Sequence, residues 1–178
     1  MKTMQEGHQE AAGGAFDYES YAEYVRLAVC GPARIGEVTF HVPGAVIGKG
    51  RPRIGKVGNH ARMFTPAKTV SFENLVGYHA AKAMDVVDGL LFTGPVQANL
   101  LIGVQIPASW SKKKQAQALA GTIYPTTKPD LDNSIKSVFD AMNGVVYKDD
   151  SQVVTTVCKK RYREAPGLWV TVFQIGGE

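Results

Sequence analysis

Cysteine is nearly absent from this chain. Its 178 residues contain two, Cys30 and Cys158, far apart and in no CxxC pair. That excludes a disulfide framework and a thiolate zinc site. Histidine is scarce too, with four residues spread along the first half. Long apolar runs are lacking: the longest candidate, 96–106, is interrupted by Gln97, Asn99 and Gln105. A membrane helix needs roughly 18 uninterrupted apolar residues, so none is expected. No basic stretch followed by an apolar run opens the sequence, so no secretory leader is expected and a cytoplasmic protein is implied. No internal repeat or low-complexity tract is present.

What is there has the balance of one globular domain: 44% hydrophobic, 20% charged, 19.2 kDa. The net charge of +4 and pI near 9.0 hint at a polyanionic partner but decide little alone. Its distribution says more. Residues 1–37 carry a net −3, whereas 38–82 carry +6, with Lys49, Arg51, Arg53, Lys56, Arg62, Lys68 and Lys82 against Glu73 alone. Residues 128–150 reverse to −2, with Asp130, Asp132, Asp140, Asp149 and Asp150 against Lys128, Lys136 and Lys148. A metal-dependent enzyme acting on a phosphate polymer needs both: cations to hold the polymer and carboxylates to hold the metal.

Along the chain, residues 1–36 read as an acidic N-terminal extension, polar and Gly-rich at first, with a weak amphipathic helix over 16–29. Val38, Phe40 and Val42 alternate with polar neighbours as a strand. Residues 44–66 are rich in Gly and Arg without apolar period and read as a long basic loop. A helix is expected over 68–87 with Val70, Leu75, Val76, His79 and Ala83 on one side, then a strand over 96–106. Ser111 is an N-cap candidate for a short helix over 112–120. A helix over 131–143 follows, then strands over 153–162 and 168–175, joined by Glu164-Ala165-Pro166-Gly167 and expected to pair as a C-terminal antiparallel hairpin. The fold class is α+β: a single domain, 37–178, with a mixed β-sheet and helices packed on it.

The informative segment is KPDLDNSIKSVFDAMNGVVYKDDSQVV, residues 128–154. Leu131, Ile135, Val138, Phe139 and Met142 define a buried helical stripe, with Asp132 at the N-cap and Asn143-Gly144 as the stop. Asp132, Lys136 and Asp140 recur at i, i+4, i+8 on one flank, with Asp130 just before the helix and Asp149-Asp150 beyond it. Each piece has a bland reading: a DxD that caps a helix, a DD in a turn, a surface lysine whose i,i+4 pair contributes only about 0.2–0.5 kcal/mol. Together they ask for more. Were Asp130, Asp132 and Asp150 to converge within ~5 Å, each pair would repel by about 3 kcal/mol at an effective dielectric near 20, which a proton or cation must relieve. Oxygen-only ligands suit Mg²⁺ or Mn²⁺. On spacing alone, a metal cluster and a solvated acidic surface stand as equal alternatives.

This run resembles the motif of the RusA family, Holliday-junction resolvases of phages and prophages. Phe40-His41-Val42-Pro43-Gly44, Lys49-Gly50-Arg51-Pro52-Arg53 and Phe64-Thr65-Pro66-Ala67-Lys68 resemble that family's amino-terminal blocks, in the same order. The resemblance covers roughly 38–176 and implies a RusA-like fold. It implies that Asp130, Asp132 and Asp150 hold the catalytic metal, Mg²⁺ with Mn²⁺ as a substitute, and that Lys136 is catalytic. Asp140 and Asp149 match motif positions in supporting roles. It further implies a homodimer, without membrane association, that cuts four-way DNA junctions at two symmetric positions in recombination and repair, inside a bacterial host. Lys49, Arg51, Arg53, Lys56, Arg62 and Lys68 are the expected DNA contacts. The chain departs from the best-known branch in its acidic extension and in having only Lys128 before DLD.

Three rivals differ in class or selectivity. An inactive junction-binding protein would show a degraded aspartate set. A DxD glycosyltransferase would leave the basic segment and the DD pair unexplained. A less selective branched-DNA nuclease on the same scaffold shares every motif above, and only substrate comparison separates it.

Overall fold

The computed structural model describes residues 34–51, 53–57, 60–87 and 89–176. The helix expected over 16–29 and nearly all of the acidic extension lie outside the described residues. Residues 34–36, counted with the extension above, already belong to the first strand.

The order is β1 (Arg34–Pro43), β2 (Arg53–Val57), β3 (His60–Phe64), α1 (Ala67–Met84), β4 (Val96–Gln105), α2 (Lys112–Leu119), α3 (Leu131–Met142), β5 (Val153–Arg163) and β6 (Gly167–Ile175). Four strands make one mixed sheet, ordered β1-β6-β4-β5, antiparallel except for the β4–β5 pair. The α+β class and the mixed sheet with helices packed on it are as expected.

β4 lies inside, covered on both faces: Val96 through Gly103 are all buried, with Val96, Ala98, Leu100 and Ile102 on the face towards the helices and Gln97, Asn99 and Leu101 on the other, where the Gln97 amide donates to Asn99 Oδ1 at 3.0 Å. Towards the helices, cross-strand rows stack as Val38, Val172 and Ala98, then Phe40, Val170 and Leu100, then Val42, Leu168 and Ile102. Onto these rows α1 lowers Phe72, Val76, Ala80 and Met84, and α3 lowers Val138 and Met142. The edge strand β5 carries Lys159, Lys160, Arg161 and Arg163, charges that discourage further strand addition.

Four expectations are corrected. First, β5 and β6 do not form a C-terminal hairpin: β4 runs between them, antiparallel to β6 and parallel to β5. As their common neighbour β4 is hydrogen-bonded along both edges and buries Val96, Ala98, Leu100 and Ile102 against the helices, which outweighs what the pair gains from a tight turn. The short connection after Arg163 crosses the end of β4 where Gly103 faces Gly167. A Cβ on Gly167 would lie 2.6 Å from His41 Nε2, and one on Gly103 2.8 Å from the Trp169 ring, so any larger residue at the crossing must displace those side chains. Second, the basic segment is not wholly loop: β2 and β3 form an antiparallel pair, with Ile54 opposite Met63. Third, α1 buries Thr69, Phe72, Val76, Ala80 and Met84, while Val70 and Leu75 are exposed. Fourth, Asp130 rather than Asp132 occupies the N-cap of α3, and Leu131 is 38% exposed while Ser134 and Ser137 are buried. Small residues there let α3 approach α1 closely.

Candidate active site

α3 presents its polar flank beside the turn that leads into β5, and several devices fix that turn. Tyr147 is fully buried and its hydroxyl donates to the Phe139 carbonyl at 3.2 Å. The Gln152 amide uses both ends: its nitrogen donates to the carbonyls of Phe92 and Gly94, each at 2.9 Å. Its oxygen accepts from the backbone N–H groups of Lys148 and Asp149. Asp149 caps the 3-10 turn Asp150–Gln152, accepting from the Ser151 N–H at 3.0 Å. These bonds hold Asp150 opposite the middle of α3.

There the side chains form a line of alternating charge. Glu73 Oε1 lies 2.6 Å from Lys49 Nζ, which lies 2.8 Å from Asp140 Oδ2. Asp140 Oδ1 lies 2.7 Å from Lys136 Nζ, which lies 2.7 Å from Asp150 Oδ2. The Ser137 hydroxyl donates to Glu73 Oε1 at 3.3 Å. Hydrogen bonds to Asp140 and Asp150 push the Lys136 pKa well above its usual 10.5. Burial alone would lower the pKa of Lys49, but its bonds to Asp140 and Glu73 outweigh it and the net shift is upward. Burial alone would raise Asp140, but Lys136 and Lys49 together hold it below the usual carboxylate value. The Ser151 bonds likewise lower Asp149. Tyr147 is pushed up by burial and then by the nearby aspartates, so it stays a neutral donor.

At the head of the helix, Asp130 sits at the N-cap without spending its side chain on a capping bond. Its carbonyl accepts from the Ser134 hydroxyl at 2.7 Å, and Lys160 Nζ steadies the approach by donating to the carbonyls of Thr127 and Pro129. Asp130 and Asp132 are exposed and make no ion pair with the described residues. An open cleft of about 500 Å³ lies beside Asp130, walled by residues 45–50 on one side and by Lys128, Pro129, Asp130 and Asn133 on the other.

The expected residues therefore divide. Lys136, Asp140 and Asp150 are brought together, and Asp149 has a structural job in the turn. Among the described residues no three His, Cys, Asp or Glu side chains are gathered as a ready metal cluster. At Asp150 the neighbouring cation is the Lys136 ammonium. The donor chemistry nonetheless fits Mg²⁺: carboxylates only, two with no competing ion pair among the described residues and one held by an exposed ammonium. Of the expected DNA contacts, Arg51 and Lys68 are exposed, and Arg53, Lys56 and Arg62 lie on the β2–β3 pair. Lys49 stands apart, drawn into the line of charges. Burial pushes the Cys158 thiol up to about 12, consistent with no nucleophilic role.

Sequence reasoning did not single out Glu73, Ser137 or Gln152. Glu73 had a signal, as the lone acid in a basic stretch, and Gln152 had one in the capping-box spacing Asp149-Asp150-Ser151-Gln152; Ser137 had none, because its partner is distant in the chain.

The family model described as Endodeoxyribonuclease RusA matches residues 43–173. An uncharacterized Bacillus subtilis protein, YqaN, is 37% identical over 140 residues, which cover 78% of this chain and 96% of that protein.

Proposed function

The chain belongs to the RusA endodeoxyribonuclease family, and from that premise we propose a Mg²⁺-dependent endonuclease that resolves four-way DNA junctions by paired, symmetric cuts. It would act as a homodimer in the bacterial cytoplasm, in recombination and repair. The observation that carries the reading is Lys136, its ammonium shared at 2.7 Å by Asp140 and Asp150, on the helix that Asp130 and Asp132 open.

Asp130, Asp132 and Asp150 would hold the cation. Once bound, it would supply Lewis acidity toward the scissile phosphate and a coordinated water of lowered pKa. The rest falls to the chain's own groups. Lys136, kept protonated by its carboxylate neighbours, offers positive charge where charge builds on the phosphate or the leaving 3′-oxygen. Asp140 gives that ammonium an anchor independent of Asp150. Arg51, with Arg53, Lys56 and Arg62 on the β2–β3 pair, would contact backbone phosphates, and Lys68 extends this surface at the start of α1. Paired cuts in a two-fold symmetric junction require two copies, since one chain carries one such aspartate set.

The test is a substrate panel: equal concentrations of four-way junction, flap and duplex DNA, in Mg²⁺ and in Ca²⁺. Paired nicks in the junction with Mg²⁺ alone support the reading. Equal cutting of plain duplex would replace it with a less selective nuclease on the same scaffold.

A further inference from the structure

We propose that Lys49 is a positioning residue for Lys136, acting through Asp140, and not a phosphate contact of the basic surface; this rests on the catalytic reading of Lys136. Lys49 was expected at the DNA, at the head of the Lys49-Gly50-Arg51-Pro52-Arg53 block. Its surroundings point elsewhere. Its N–H donates to the Asn133 carbonyl at 2.8 Å, and a Cβ on neighbouring Gly48 would lie 3.0 Å from Asn133 Cβ, so the segment is pressed onto the first turn of α3. From there the side chain runs inward to two carboxylates on two different helices, Glu73 of α1 and Asp140 of α3. Reaching a phosphate would break both pairs, leaving Glu73 to the Ser137 hydroxyl and Asp140 to Lys136.

The two oxygens of Asp140 are divided between two ammoniums, Oδ1 to Lys136 and Oδ2 to Lys49. Lys49 therefore fixes the rotation of the carboxylate and takes half of its hydrogen-bonding capacity. Remove it, and Asp140 is free to turn both oxygens on Lys136 and draw the ammonium away from Asp150. Glu73 and Asp140 would then face each other with no cation between them. Glu73, braced by the Ser137 hydroxyl, keeps Lys49 from following Asp140. The effect of Lys49 is thus on where the Lys136 ammonium stands, and so on the rate.

The experiment uses the full chain and a synthetic four-way junction. Affinity is measured in Ca²⁺ across a salt series and single-turnover cleavage in Mg²⁺. Lys49→Met is expected to slow cleavage about tenfold or more while affinity and salt slope stay essentially unchanged, and Lys49→Arg should restore most of the rate. In an Asp140→Asn background, Lys49→Met should cost nothing further, because the path is already cut. If Lys49→Met does not fold, Glu73→Gln gives the same reading: a slower cut at unchanged affinity. Weaker binding with a salt slope reduced by about one, at an unchanged saturated rate, would make Lys49 a phosphate contact and overturn the proposal. Independent, multiplying losses in the Lys49/Asp140 pair would reduce it to a structural brace. Lys136→Met separates the two levels: if that variant cuts normally, the catalytic reading beneath the proposal fails first.

Discussion

Lys136→Met should make the protein bind a divalent cation more tightly while abolishing cleavage. The Lys136 ammonium lies 2.7 Å from Asp150 Oδ2, where a cation bound by that carboxylate must displace it. The Lys136 side chain is 55% exposed and that of Asp150 25% exposed, so the pair is solvent-screened and far from the energetics of a buried bridge. Exposed ion pairs are worth about 0.2–1 kcal/mol, and the short contact to a half-buried acceptor places this one near the top, about 1 kcal/mol. Releasing Asp150 from it corresponds to roughly fivefold in Kd. Calorimetric titration with Ca²⁺ on the DNA-free protein reads this without turnover. Any lost positive charge nearby strengthens cation binding somewhat. Lys148→Met, which removes an exposed ammonium from the same turn, is therefore the control, and it should shift Kd less than twofold given the screening of such charges. An unchanged or weaker Ca²⁺ affinity in Lys136→Met, or an equal gain in the control, would refute the reasoning.

Gly167→Ala should destabilise by about 1–3 kcal/mol, because its Cβ would lie 2.6 Å from His41 Nε2; at this chain length that lowers Tm by roughly 2–12 °C. A Tm within a degree of wild type would contradict the crossing described above. For pH, a lysine whose folded pKa is raised contributes stability fully below the unfolded value and loses it only as pH rises through the higher folded one. Lys136 is raised above 10.5 in the metal-free protein, so its Tm should show no Lys136-dependent decline between about pH 8 and 10. A decline in that window that moves in Lys136→Arg would contradict this. Arg51→Ala should weaken junction binding and reduce the salt slope by about one, leaving the rate on saturated junction near wild type; an unchanged slope would remove Arg51 from the phosphate contacts.

Much of the fold was legible because strands β4, β5 and β6 and helices α2 and α3 have strong local patterns; their ends fall within a residue or so of expectation. Strand order was not, because a short connection says two strands are close in sequence but not that a third will sit between them. The β2–β3 pair escaped notice since Ile54 and Met63 are exposed and show no alternation. Gly58-Asn59 between its strands was the available turn signal. In α3 the hydrophobic stripe missed Ser134 and Ser137, which are buried for their size, and included Leu131, which is not. At the site, spacing did place Lys136 beside Asp140, an i,i+4 neighbour. It gave no way to see Lys49 reach Asp140 or Glu73, since those contacts exist only once α1, α3 and the segment after β1 have packed together.

The central claim is that the aspartates at the head of α3 serve cleavage and not DNA binding. Its most direct test is Asp132→Asn, assayed for junction affinity in Ca²⁺ and for strand nicking in Mg²⁺. Loss of nicking with affinity preserved is the predicted result. A variant that still places paired nicks in a four-way junction in Mg²⁺ would contradict it.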